Sequence, residues 1–413
     1  MSRFFIFLGI LYLIGTFYGF QAFRTLVRNP YIQVFYILIF LAVLANVYFQ
    51  FSNFDRSQGM SPSMGISVGL FLAFMALGFC SGIFMLIEDV IRGFSWVISK
   101  TGTGSGNDTV VSFPSRRKFV SQIALGIAAI PFTSLLYGMY KGKYDFQVMK
   151  YTLEFDDLPE AFDGYRITQI SDIHSGSFDN HKMVEYAVDL INKQESDVLL
   201  FTGDIVNSVA RELYPWKETF SRLKAKDGVF SVLGNHDYGD YAEWPTEEDK
   251  AANLDELKEL QKEMGFDLLL NESRYLERGN DRIALVGVEN WGAGGFKKAG
   301  DLNKAVSGIS GEDFKVLMSH DPTHWEFEVL PHDYHFHLTL SGHTHGMQFG
   351  VEIPGWIKWS PAKYRYKQWA GIYEQLGQYI NVNRGLGYIG YPGRVGIWPE
   401  ITVIELKRKN TLA

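Results

Sequence analysis

The chain has 413 residues, with 39 Lys and Arg against 46 Asp and Glu and a formal net charge of −7. That length exceeds one average domain, and the acidic balance argues against a general nucleic-acid binder, which needs basic patches to displace phosphate counterions; no nucleic-acid partner is expected. A single cysteine, Cys80, excludes a disulfide framework and a cysteine-based zinc site within one chain.

Phe4 to Phe20, Tyr31 to Phe51 and Gly65 to Ile87 are nearly uncharged apolar runs, each long enough to cross a hydrocarbon core of ~30 Å at ~1.5 Å per residue. Residues 1–98 are therefore expected to form three transmembrane helices. Glu88 and Asp89 stand at the exit of the third run rather than at mid-membrane, which counts against a transporter or proton relay. The Gly/Ser/Thr-rich stretch from Lys100 to Asp108 buries nothing and reads as a flexible linker, placed at 99–116.

Next comes Ser115-Arg116-Arg117-Lys118-Phe119, followed by the apolar segment Val120 to Tyr137. Two readings of 117–140 stand side by side: a twin-arginine-like signal anchor, or a fourth transmembrane helix with an ordinary basic flank. Both give the same orientation. Arg24 and Arg28 lie between the first two runs and five cations lie between the third and fourth, whereas the middle loop carries only Arg56. Basic loops inside place the segment after the fourth crossing outside the cell (inner) membrane, although Lys141, Lys143 and Lys150 run against this.

From Tyr151 the pattern alternates between strand and helix signals, the mark of an α/β domain, placed at 150–407. Strands are expected at Tyr165–Ile170, Asp197–Phe201 and Val229–Leu233, with helices at Met183–Lys193 and Trp216–Leu223. Further strands follow at Arg282–Val288, Phe314–Met318, Phe336–Leu340, Gln378–Val382 and Ile401–Leu406.

Five clusters of metal-ligand type follow these strands: Asp172-Ile173-His174, Gly203-Asp204, Gly234-Asn235-His236-Asp237, His320, and Gly342-His343-Thr344-His345. The first three recur about every thirty residues, one per β-α-β unit, which brings them to one carboxyl edge. Together the clusters offer four imidazoles, two carboxylates and an amide oxygen, enough for two divalent ions. An isolated His320 or Asp204 would more often be a capping or loop residue; seven compatible ligands in one order at strand ends reverse those odds. His343 and His345, one residue apart in extended backbone, are expected to point the same way. His181, His324, His332, His335 and His337 read as surface or strand residues, with His324, four residues past His320, the best exception.

The order Asp-x-His, Gly-Asp, Gly-Asn-His-Asp, His, Gly-His-x-His resembles the calcineurin-like metallophosphoesterases over residues 150 to 407. Gly342-His-Thr-His-Gly346, Val382-Asn-Arg-Gly-Leu-Gly387 and Pro399-Glu-Ile401 are similar to the branch of YkuE-like and transmembrane metallophosphoesterase-domain proteins. This resemblance implies a four-layer αββα sandwich behind the helical transmembrane region. It also implies one ion held by Asp172, His174, Asp204 and His345 and a second by Asp204, Asn235, His320 and His343, with Asp204 bridging ions ~3.5–4 Å apart. Such mixed ligands suit Mn²⁺, Fe²⁺ or Zn²⁺ and do not choose among them. His236 would protonate or stabilise the leaving oxygen, with Asp237 orienting or electrostatically biasing it.

The resemblance implies hydrolysis of a phosphomonoester, phosphodiester or pyrophosphate, a lipid-linked substrate among the candidates. UDP-2,3-diacylglucosamine is one such substrate. Against it, the dedicated hydrolases of that nucleotide lipid carry Arg where His236 stands, and the nucleotide is cytoplasmic whereas the domain is expected outside. The other alternative is a non-catalytic metal-binding membrane scaffold, which would not require a leaving-group acid. Finally, Ile353 to Tyr373 interleaves Trp356, Trp359, Tyr364, Tyr366 and Trp369 with Lys358, Lys363, Arg365 and Lys367. It is either a cap that rests on the lipid interface or an ordinary aromatic loop packed on the domain.

Overall fold

The computed structural model describes residues 3–55, 57, 59, 61–101, 114–353 and 355–409; most of the expected linker lies outside the described residues. The chain divides into two compact units, one formed by Met1–Phe54 and Ser63–Tyr140, the other by Asp55–Pro62 and Lys141–Ala413.

The first unit contains α1 (Arg3–Leu26), α2 (Pro30–Ser52), α3 (Pro62–Thr101) and α4 (Pro114–Tyr140). All four are long and apolar enough to cross a membrane. In hydrocarbon there is no hydrophobic drive between helices, so packing depends on close backbone approach. Here Gly15 and Gly19 of α1 meet Gly78 and Gly82 of α3. A Cβ on Gly19 would lie 2.6 Å from Ser81 Oγ, and one on Gly78 would lie 3.0 Å from the carbonyl carbon of Gly15.

α3 extends well past the expected end at Ile87. Its 40 residues span roughly 60 Å at ~1.5 Å per residue, about twice the hydrocarbon thickness. The extension carries Glu88 and Asp89, which pair with Arg117 of α4 at 2.8 and 2.9 Å, while Gln21 of α1 accepts from the same guanidinium at 3.0 Å. Arg117, read above only as part of a topology signal, thus also ties three helices together.

The second unit begins with β1 (Gln147–Phe155), β2 (Arg166–Ile170), α5 (His181–Asn192), β3 (Val198–Phe201), α6 (Lys217–Phe220), β4 (Val229–Ser231), α7 (Glu247–Glu263) and β5 (Phe266–Leu268). It continues with β6 (Glu272–Arg278), β7 (Asp281–Gly287), α8 (Leu302–Ala305), β8 (Lys315–Met318), β9 (Leu338–Ser341), the hairpin β10 (Val351–Ile353) and β11 (Ile357–Trp359), β12 (Gly371–Gln375), β13 (Gln378–Val382) and β14 (Glu400–Arg408).

Two six-stranded sheets result, ordered β1-β14-β2-β3-β4-β5 and β12-β13-β9-β8-β7-β6. Within them β2, β3, β4 and β5 run parallel, as do β7, β8, β9 and β13. Ile167, Val198, Leu200 and Phe230 of the first sheet pack against Leu285, Val316, Met318 and Leu340 of the second in one core. Helices cover the outer faces: Val184, Val188 and Leu257 of α5 and α7 on one, Leu302, Ala305 and the turn at Trp325–Val329 on the other. The domain is therefore four layers, helix, sheet, sheet, helix. Strands buried on both faces lose their alternation, which is why β3 reads Val-Leu-Leu-Phe with every residue buried.

Candidate metal centre

Asp172 and His174 follow β2, Asp204 follows β3, Asn235 follows β4, His320 follows β8, and His343 and His345 follow β9. All are carboxyl ends of parallel strands, so each sheet delivers its loops to one edge. The turns are tight enough to strain the backbone. Asp172, His174, Asp204, His343 and His345 all have φ between 46° and 69°, a left-handed region that costs non-glycine residues on the order of 1–3 kcal/mol each and that gathers at functional sites. Glycine is needed where the loops meet: a Cβ on Gly342 would lie 2.2 Å from Asp172 Oδ2, and one on Gly234 would lie 2.2 Å from Asp204 Oδ1.

The side chains converge as two groups, Asp172 with His174 and His345, and Asp204 with His320 and His343; within each, the offered ligand atoms lie inside 4.8 Å. In the first, His345 Nε2 is 3.0 Å from His174 Nε2 and 3.1 Å from Asp172 Oδ1. In the second, His320 Nε2 is 3.1 Å from Asp204 Oδ2. The same Oδ2 is 3.6 Å from His174 Nε2, so Asp204 stands between the groups. Asn235 Oδ1 joins the second group, 2.8 Å from His343 Nδ1. All seven residues singled out by sequence are thus brought together.

The expected extended backbone at the last histidine pair is not found. Left-handed turns at His343 and His345 flank a helical Thr344, so the two rings diverge, one into each group.

Hydrogen bonds fix which ring nitrogens face inward. A carbonyl oxygen only accepts, so His320 Nδ1 donates to Thr202 O at 2.7 Å, and its Nε2, otherwise without a hydrogen-bond partner, faces the Asp204 carboxylate. His343 turns Nε2 outward to Tyr366 Oη at 2.9 Å and Asp321 Oδ2 at 3.3 Å, leaving Nδ1 for the site. Asp321 is itself held by Thr323 N and Oγ1. Neither Asp321 nor Tyr366 was singled out as a site residue; the only signals were adjacency to His320 and membership of the aromatic segment.

Burial opposes ionisation of Asp172 and Asp204, but the neighbouring imidazoles outweigh it, His345 for Asp172 and His320 for Asp204, and hold both well below the usual carboxylate range. Burial likewise pushes His174 and His343 down. His320 goes the other way: burial is outweighed by Asp204, and its pKa rises to about 10. The result is a dry pocket of anionic oxygens and inward-facing ring nitrogens, a donor set for divalent cations.

His236 lies beside this centre, its ring edge-on to His174 at 4.9 Å and stacked on Tyr241 at 4.2 Å. Burial, acting against the Asp204 charge, lowers its pKa. Its Nδ1 donates to Asn207 O at 2.6 Å. Asp237, expected as the orienting partner, instead accepts from the backbone amides of Gly234, Asp204 and Ile205 at 2.8, 2.9 and 2.9 Å. Its carboxylate knits the β3 and β4 loops together; burial and the Asp204 charge lift its pKa to about 7. His324 is buried but turns to Ser319 Oγ at 2.8 Å, outside both groups.

The aromatic segment divides. Tyr366 and Trp369 are buried beside the site, whereas Trp356 and Tyr364 at 77% and 76% exposure stand in solvent.

Two family models match the chain: "Probable Calcineurin-like phosphoesterase, transmembrane domain" over residues 2–143 and "Calcineurin-like phosphoesterase" over residues 165–347. The uncharacterized metallophosphoesterase YkuE of Bacillus subtilis is 28% identical over 304 residues, 72% of this chain and 99% of its own length. A transmembrane protein with metallophosphoesterase domain from Danio rerio is 28% identical over 314 residues, 74% of this chain and 66% of its own. An uncharacterized metallophosphoesterase of Helicobacter pylori is 25% identical over 413 residues, 98% of both chains.

Proposed function

This chain belongs to the calcineurin-like phosphoesterases that carry a four-helix transmembrane domain, and from that premise we propose that it hydrolyses a lipid-linked phosphoester with two divalent cations. Asp172, His174, Asp204 and His345 would hold one ion, and Asp204, Asn235, His320 and His343 the other. The observation that carries this is the Asp204–His320 contact. A carboxylate oxygen and a ring nitrogen 3.1 Å apart in a dry interior need a proton or a metal cation between them, and a divalent ion can take the proton's place. When bound, the ions supply a nucleophilic water and neutralise charge on the phosphoryl oxygens. Among Mn²⁺, Fe²⁺ and Zn²⁺ the donor set makes no choice.

The remaining chemistry belongs to side chains. Because Nδ1 of His236 is committed to Asn207 O, Nε2 is the position from which a proton passes to the leaving oxygen. Tyr241 Oη takes a hydrogen bond from the Asn235 amide nitrogen at 2.8 Å, so Asn235 Oδ1 stays turned inward. Asp237 acts on the loops rather than on the imidazole.

The lipid reading rests on what lies after the histidine pair. A cavity of about 380 Å³, lined by Pro322, Phe327, Arg365 and Tyr366, adjoins His343 through Tyr366. Earlier in the same segment, the β10–β11 hairpin exposes Val351, Ile353, Trp356 and Trp359, an apolar patch of the kind that meets a membrane or a partner. We place the catalytic unit outside the cell membrane, a reading supported by the Lys and Arg of the first and third loops, with Lys141, Lys143 and Lys150 opposing it. The loop Asp55–Pro62 groups with that unit, and four crossings put both on one side.

The test is turnover of bis-p-nitrophenyl phosphate and of phospholipid esters by the full-length protein in detergent with Mn²⁺. Metal bound without turnover of any ester would favour a scaffold instead. An alkaline phosphatase fusion after Lys143 that stays inactive in cells would overturn the external placement.

A further inference from the structure

Glu212 is a partly buried carboxylate outside the metal centre that the chemistry above does not use. It sits on the turn Ala210–Trp216, and its Oε2 accepts from the backbone N–H of Asn207 at 2.6 Å and of Ser208 at 3.2 Å. The Ser208 N–H and the Asn207 carbonyl are the two ends of one peptide group. That carbonyl takes the Nδ1 proton of His236 at 2.6 Å. One amide is therefore gripped by a carboxylate at its nitrogen end and by an imidazole at its oxygen end.

We infer that Glu212 is a positioning residue for His236, acting through the Asn207–Ser208 peptide; this rests on the reading of His236 as the group that protonates the leaving oxygen. Two physical consequences follow from the geometry. The peptide is planar and rigid, so anchoring its N–H fixes where its oxygen meets the imidazole. A carboxylate on the N–H also polarises the amide and makes its oxygen a stronger acceptor, which favours the protonated ring that must form before the leaving group departs.

The surroundings are built for this contact. A Cβ on Gly176 would lie 2.6 Å from Glu212 Cδ and 2.8 Å from Asn207 Nδ2, so glycine is what lets the loop after β2 close over the pair. Asn207 is held from that loop by hydrogen bonds with Ser177 Oγ at 3.0 and 3.2 Å. The competing role is a cap, a carboxylate that does no more than satisfy the Asn207 and Ser208 N–H groups ahead of the turn. A cap would leave its carboxylate in water. Here Oε1 is sealed from solvent and lacks a hydrogen-bond partner among the described residues, and desolvation lifts the Glu212 pKa to about 7. That desolvation is a cost which capping a short turn does not explain.

The role predicts a dependence on the leaving group. Nitrophenolate departs without a proton, whereas phenolate, whose conjugate acid has a pKa near that of tyrosine at about 10, departs more readily with one. In the full-length, Mn²⁺-loaded protein, Glu212→Gln should lower kcat on diphenyl phosphate about ten-fold, a fraction of the full general-acid effect. On bis-p-nitrophenyl phosphate the fall should be several-fold smaller, with KM and metal content unchanged. In a His236→Ala background the same substitution should have no further effect. Equal losses on both esters, or a loss that persists in the His236→Ala background, would show that Glu212 only holds the loop. If Glu212→Gln does not accumulate, Glu212→Asp, whose shorter carboxylate withdraws from Ser208, is read by the same ratio. His236→Ala that leaves the leaving-group dependence unaltered sinks the reading of His236, and this inference with it.

Discussion

The imidazole of His320 and the carboxylate of Asp204 meet at 3.1 Å, with the other ring nitrogen of His320 already committed to Thr202 O at 2.7 Å. In the ion-free protein a proton is what reconciles them: burial lowers the affinity of His320 for it, but Asp204 outweighs burial and raises the pKa to about 10. A divalent cation must displace that proton. Metal binding at neutral pH is therefore expected to release a proton, and apparent affinity should rise roughly ten-fold per pH unit between 7 and 10 for a single proton. The sign for stability is opposite. A histidine with a raised folded pKa stabilises most below its unfolded value of about 6.5 and loses this as pH climbs through about 10. Ion-free protein should weaken over that window while loaded protein does not. Calorimetric titration in two buffers of different ionisation enthalpy, with melting curves against pH, reads both effects.

Asp321 offers a sharper test of the second metal group, because its carboxylate contacts an expected ligand side chain only at His343, although it follows His320 in the chain. Its Oδ2 faces His343 Nε2 at 3.3 Å, the arrangement in which a carboxylate holds a ligating imidazole in orientation and raises its basicity. Asp321→Ala is expected to lower metal affinity or activity roughly ten- to a hundred-fold, and to weaken one of two ions selectively. Elemental analysis after dialysis against graded chelator should then show one ion lost before the other. Simultaneous loss of both would refute the division into two groups.

Much of this architecture was legible in the residues, for a reason that separates what was read from what was missed. β3 is buried on both faces and so reads as an apolar run. α7 went unread because seventeen residues rich in Glu, Asp and Lys bury only Asn253, Leu257, Leu260 and Gln261; its start rests on Thr246 Oγ1 capping Asp249 N at 3.1 Å. The expected helix at Trp216–Leu223 shrinks to Lys217–Phe220 behind a turn that contains Pro215. At the site, the ligand-type residues were visible because each lies within a few positions of a strand end. Asn207 and Glu212 were not, since one contributes a backbone oxygen and the other reaches the imidazole only through a peptide group. The same limit explains Asp237: adjacency suggested an imidazole partner, but its carboxylate is spent on four backbone amides.

His337 gives the catalytic unit an acid-sensitive point away from the metals. Its Nε2 donates to Asp157 at 2.7 Å and its Nδ1 accepts from Lys315 N at 2.9 Å, while the ring stacks on Phe314 at 4.1 Å. Protonation would place a hydrogen on Nδ1 against an amide that can only donate. Burial accordingly lowers the pKa to about 4 despite the pull of Asp157. A histidine whose folded pKa is depressed stabilises above its unfolded value of about 6.5 and loses that contribution as pH falls through about 4. Stability should decline between those limits by on the order of a few kcal/mol. His337→Gln should lower stability at pH 7 and flatten the decline. Denaturant midpoints at pH 7 and 4.5 decide it; an equally steep decline in the variant would remove His337 as the cause.

The lipid assignment depends most on the β10–β11 hairpin, where Trp356 is 77% exposed at the turn between short paired strands. A soluble ester needs nothing from this tip, whereas an ester whose tail stays in the bilayer requires the tip to meet the headgroup layer, where tryptophan is favoured. Partial burial of an indole in that layer is worth roughly 1–2 kcal/mol at about 25 cal/mol per Å², about ten-fold in an equilibrium. Trp356→Glu in proteoliposomes is therefore expected to lower kcat/KM on phospholipid esters by about that factor, while turnover of bis-p-nitrophenyl phosphate stays within two-fold, roughly the effect of a surface substitution. Equal turnover of the lipid ester by the variant and the native chain would detach the hairpin from substrate recognition and leave its apolar face to a protein partner.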